Sequence, residues 1–213
     1  MTAKKGSNIA SSIGEIEKDS PWPNNEVDWL KVKMAWVKKL KTVIDAAADE
    51  RPIQKYLEEH PDLLGQLLGG GQGRWVFPKP KFGSEFVPDF LLCDRDSDGF
   101  HWKAIELENP NYAPLNGKGS QSGKFAIARR QIGDWRTWLW DNIAYARDKF
   151  TDIDGECQSI IIIGRRKMRR PEHQKRYRDL SSDPRLTVMS YDRFFEQIEA
   201  TADAHVRLAQ RRG

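Results

Sequence analysis

Two segments place acidic side chains inside apolar runs: Pro88-Asp89-Phe90-Leu91-Leu92 and Ala104-Ile105-Glu106-Leu107-Glu108. Sixteen residues separate Asp89 from Glu106. Both segments read as β-strands, and successive strand side chains alternate between faces, so Glu106 and Glu108 share a face. The polar stretch 94–99 between the strands favours a hairpin that brings Asp89 close to Glu106. Isolated ionised carboxylates among apolar neighbours are costly, and two or three gathered together raise one another's pKa. A cation neutralises such a cluster, and an all-oxygen site suits Mg²⁺ or Mn²⁺. A metal held there activates water and stabilises charge on a phosphodiester oxygen. The same acids at i and i+2 also fit exposed edge strands, paired with Lys79, Lys81 or Lys103.

A second feature is basic. Residues 165–178 carry eight Lys/Arg against one Glu, although the whole chain is only +4 at pH 7. Arg165, Arg166, Lys167, Arg169 and Arg170 are candidate contacts to a DNA phosphate backbone. A solvated surface segment is the plainer reading of the same block. Other chemistries lack their residues. The four histidines have no zinc spacing, and the two cysteines make no disulfide framework. The glycines at 69–73 lack the Gly-Lys-Ser/Thr ending of a phosphate loop, so no nucleotide cofactor is expected. The longest apolar run is the four isoleucines 160–163, too short to span a membrane, and residues 1–20 have no apolar signal region. A cytoplasmic protein is the expectation.

The 213 residues suit one domain with short additions. Residues 1–22 read as a flexible arm, 23–48 as an N-terminal helical segment and 49–213 as the main domain. Helices are expected over about 26–48 and 49–60, then strands over 74–79, 85–93 and 100–108. A long helix follows over about 122–150, with Phe125, Ala128, Ile132, Trp135, Leu139, Ile143, Ala146 and Phe150 on one face. A buried strand at 159–164, a helix near 171–180, a strand at 186–189 and a closing helix from 192 complete an α/β chain with a mixed sheet. Trp138 and Trp140 flank the long helix's apolar face, and core or subunit contacts fit them better than base stacking.

Pro88-Asp89 followed by Glu106-Leu107-Glu108 resembles the PD-(D/E)XK phosphodiesterase core. Glu50-Arg-Pro-Ile-Gln54, Leu57-Glu-Glu-His-Pro61, Ile105-Glu-Leu-Glu-Asn-Pro110, Ala128-Arg-Arg-Gln-Ile-Gly-Asp-Trp135, Ile163-Gly-Arg165 and Tyr191-Asp192 resemble, in order and spacing, the Shedu family of anti-phage defence nucleases. The resemblance spans about residues 50–198. It implies a restriction-endonuclease-like fold, metal-dependent DNA cleavage and a homo-oligomer. It also implies that Asp89 and Glu106 are metal carboxylates and that Glu50 completes the site. Gln131 would be the helix glutamine beside it, with Lys124 on the same helix flank. Glu108 stands where the general motif has lysine. It would be a third ligand or a base, or else mark a site with weak catalysis that serves as a DNA-binding or assembly module.

Overall fold

A computed structural model describes residues 20–210 of the chain. The arm expected at 1–22 falls mostly outside these residues. Five strands form one open sheet in the order β1-β2-β3-β4-β5: Arg74–Pro78, Phe90–Asp96, Gly99–Leu107, Gln158–Ile162 and Leu186–Met189. β1, β2 and β3 are an antiparallel meander, and β4 and β5 add parallel to β3. The expected mixed sheet is therefore present, with helices on both faces. No helix among the described residues is long and apolar enough to cross a membrane.

One face carries α1 (Met34–Ala46), α2 (Arg51–Glu59), the short α3 (Asp62–Gly65) and the closing α7 (Tyr191–Gln210). Val37, Leu40 and Ile44 of α1, Ile53 and Leu57 of α2, and Phe194 and Ile198 of α7 bury against Phe90, Leu92, Ile105, Leu107 and Ile162. The N-terminal helix thus shares the core of the sheet. The other face carries α4 (Gly123–Asp141), α5 (Ile143–Lys149) and α6 (Gln174–Asp179). Phe125, Ala128, Ile132, Trp135, Leu139, Ala146 and Phe150 bury there against Leu91, Trp102, Ala104 and Ile161.

Three elements differ from the pattern read in the sequence. The long helix is two helices, broken at Asn142, whose φ of −121° leaves the helical region. Its side-chain amide donates to Trp138 O, the same acceptor that its own backbone N–H reaches in the i→i−4 ladder, a local back-bond of the kind that bends helices. The first helix starts only at Met34 because residues 22–27 run along the open edge of β1. Val27 N donates to Arg74 O, and Val76 N to Asn25 O. Trp22 fixes this segment, edge-on to Trp75, Phe77, Phe100 and Trp102 with ring centroids 5.3–5.6 Å apart. Finally, β2 begins at Phe90 rather than at Glu85. The preceding stretch folds back through Gly83, at φ +64°, under the stacked rings of Phe82 and Trp138, and leaves Glu85 and Val87 exposed.

Candidate functional site

The acidic residues meet at the end of the sheet where β3, β4 and β5 have their C-termini, the usual position of ligand crevices in open α/β sheets. Phe90 pairs with Ile105 in the β2–β3 ladder, so the next position along sets Asp89 opposite Glu106. The side chain of Asp89 is held at both oxygens. Oδ2 accepts from Leu107 N at 2.8 Å, and Oδ1 accepts from Gln54 Nε2 at 3.0 Å. Gln54 is buried on α2, one turn after Glu50, between the core residues Ile53 and Leu57. The sequence motifs alone assign it no role; its i, i+4 relation to Glu50 is the signal that points to it.

Glu50 precedes α2, and the chain there is clamped by the loop that follows β3. Asn109 Nδ2 donates to Ala48 O, and Asn111 Nδ2 donates to Ala47 O and Ala48 O. Those asparagines lie within three residues after Glu108, so one short segment supplies a carboxylate and ties down the chain that carries another. The same loop crosses the end of β4 at Gly164, where φ is +66° and a Cβ would stand 2.5 Å from Tyr112 O. No side chain fits that crossing. The Tyr191 hydroxyl donates to Glu108 O at 2.7 Å, pinning the end of β3 to the start of α7.

Electrostatics shows that these groups feel one another. Burial pushes the Glu106 carboxyl well above its usual range, and the charges of Asp89 and Glu108 add to the rise. Asp89 is also raised, by burial first, with the Leu107 N–H opposing and Glu50 reinforcing it. Burial raises Glu108, and Lys124 at the start of α4 works against that rise. Among the described residues none of Glu50, Asp89, Glu106 and Glu108 has a Lys, Arg or His nitrogen within 4.0 Å. Four mutually repelling carboxylates without such a partner fit a hard divalent cation in donor type and charge. No group of three or more His, Cys, Asp or Glu among the described residues already has the spacing of a metal cage. Asp89, with one bond at each oxygen, is the most constrained of the four.

The flanking candidates divide. Lys124 is exposed and acts on Glu108 electrostatically. Gln131 lies two turns further along α4, half-exposed, and its side chain makes no hydrogen bond to the carboxylates. The basic block also divides. The Arg165 side chain is only 12% exposed and binds Asp192 at 2.9 Å and Asp45 at 2.7 Å, joining α7 to α1. Arg166 pairs with Glu196, and Arg169 lies over the Tyr177 ring at 5.2 Å. Lys167 and Arg170 are exposed, Arg170 with Glu172 at 3.9 Å. Trp135 is buried, Trp138 stacks on Phe82 and Trp140 is exposed.

Among known proteins, the family model described as Shedu protein SduA, C-terminal, matches residues 47–195. That span begins just before Glu50, ends on α7 and contains every carboxylate of the site. No curated protein matches the chain.

Proposed function

From the premise that this chain belongs to the Shedu family, we propose that it is a metal-dependent DNA endonuclease of anti-phage defence with a PD-(D/E)XK-type site. The observation that carries this reading is the opposition of Asp89 and Glu106 across the β2–β3 ladder, with Glu108 on Glu106's face and the charge of Glu50, just before α2, acting on all three. Asp89, Glu106 and Glu108 would hold Mg²⁺ or Mn²⁺, with Glu50 beside them; the bound ion lowers the pKa of water and stabilises charge on the phosphate. The chain's own residues do the rest. Gln54 and Leu107 N orient Asp89. The buried floor around Glu106 keeps its carboxylate in a region of low dielectric, where charge interactions are strong. Lys124 supplies positive charge beside Glu108. Hydrolysis would leave a 5′-phosphate and a 3′-hydroxyl. Assembly into a homo-oligomer belongs to the same proposal.

The test is incubation of plasmid and linear DNA with Mg²⁺, Mn²⁺ or EDTA, with Asp89→Ala alongside. Metal-dependent cleavage lost in the variant supports the reading; equal cleavage by both sinks it. Glu108 in the lysine position favours a second reading, a DNA-binding module with weak catalysis. A third carboxylate suits a cation-filled site, so Glu108→Lys is expected to lower the cleavage rate. A faster lysine variant would instead support the module, because lysine supplies a missing donor to the transition state.

A further inference from the structure

The loop between β3 and α4 carries a basic turn that the fold joins to the block 165–178. Leu115 bridges to Gln121, and Asn116 N donates to Ser120 O, so the loop ends in a small hairpin. Asn116 Oδ1 accepts from Lys118 N and Ser120 N, which fixes the tip from within. The tip is also fixed from outside. His173 Nε2 lies 3.3 Å from Gly117 O, and Arg176 Nη1 donates to Lys118 O at 3.1 Å. Arg170 lies 3.6 Å from the point where a Gly117 Cβ would be. Gly119, at φ +75°, makes this approach possible, since a Cβ there would come within 2.8 Å of Arg176 and 2.9 Å of His173.

Two arginines and a histidine therefore surround a turn that carries its own lysine, and Lys118, Arg170 and Arg176 are all exposed. Among the described residues the one carboxylate paired with these cations is Glu172, at 3.9 Å from Arg170. Like charges brought together repel, and a phosphate removes that repulsion while accepting from the arginine forks. Arg176 has five donors and uses one on Lys118 O.

The place of the turn indicates its ligand. Its loop leaves β3 at Glu108 and returns at Lys124, two residues that interact with each other. Lys118 is six residues from Lys124, so their Cα atoms are at most about 22 Å apart. At about 3.4 Å of axis per phosphate along one strand, that is roughly six phosphates.

We propose that the turn 116–120 with Arg170, His173 and Arg176 is a phosphate cradle that holds the backbone of duplex DNA within about six nucleotides of Lys124, the lysine that acts on Glu108 of the carboxylate site. The proposal rests on the nuclease reading above and adds Lys118, His173 and Arg176 to the DNA-contacting surface.

The experiment measures duplex DNA binding in EDTA, so that cleavage does not interfere, from 50 to 300 mM salt. The double variant Lys118→Gln/Arg176→Gln is compared with Lys38→Gln/Lys39→Gln, which removes the same charge from the exposed side of α1. The cradle variant is expected to lower the slope of log K against log salt by about 1.8, at roughly 0.9 per lost phosphate contact, and the control to leave it unchanged. Gly119→Ala, which keeps every charge but spreads the cradle, is expected to weaken binding severalfold while thermal unfolding confirms a folded chain. Wild-type binding with equal slopes for both double variants would overturn the cradle and leave the nuclease reading standing. A wild type that neither binds nor cleaves DNA would overturn both. Tighter binding to an RNA duplex of equal length would overturn the assignment to DNA.

Discussion

Replacing Glu106 by glutamine should stabilise the metal-free protein. Glu106 is 9% exposed, and its carboxyl is pushed from an ordinary value of 4.5 to about 9, chiefly by burial and then by Asp89 and Glu108. Below pH 4.5 the group is protonated in both folded and unfolded chains, and the raised pKa costs nothing. As pH rises towards 9 the unfolded chain gives up the proton and the folded chain keeps it, so folding stability falls by about 1.4 kcal/mol per pH unit. At pH 7 the cost is about 3 kcal/mol. The glutamine amide escapes it and keeps an oxygen to accept from the Asp89 N–H, but its buried NH₂ offsets about 1 kcal/mol. The net gain is about 2 kcal/mol, or roughly 4–8 °C in Tm for a chain of this size. The assay is thermal unfolding of both proteins in EDTA from pH 4.5 to 8.5, with the gap opening as pH rises. Addition of Mg²⁺ should close it, because an ion at 100 times its Kd adds about 2.7 kcal/mol to the form that binds it, and the variant has lost a ligand. A variant no more stable than wild type at pH 7.5, with a parallel pH dependence, would refute the buried repulsive cluster.

Two further substitutions separate the site from its supports. Gln54→Leu removes the donor to Asp89 Oδ1; it should weaken Mn²⁺ affinity and cleavage by about 10- to 100-fold, as loss of a ligand-orienting bond does elsewhere. Gln54→Asn should not restore either, because the shorter amide cannot reach; Mn²⁺ titration by calorimetry reads the effect independently of cleavage. Arg165→Ala removes the guanidinium that Asp45 and Asp192 share, and with it a tie between α1 and α7, leaving Asp45 with Lys41 and Asp192 with the Arg166 N–H; it should cost about 1–3 kcal/mol in urea unfolding and leave the salt slope of DNA binding unchanged.

The acids, their face and the hairpin that opposes them were legible in the sequence, because a strand period of two and a polar turn fix both register and side. The apolar face of the long helix was equally legible, since burial follows the helical period; seven of its eight expected residues are buried. The break at Asn142 was not. It comes with a side chain turning back onto Trp138 O beside the backbone N–H, a local side-chain bond that periodicity does not express.

By itself, the sequence determined which residues carry charge inside apolar strands and which family motifs surround them. Tertiary structure alone decided what those charges meet. Asp89 is bound by Gln54 from a helix 35 residues away because that helix packs over the end of β2. Arg165 is tied into the fold while Arg170 and Arg176 gather at the turn carrying Lys118, although all three arginines look alike in a basic run. Charge is a property of the residue, but whether a neighbour uses it, repels it or leaves it for a ligand is set by distances across the fold, and those follow from packing rather than from order along the chain.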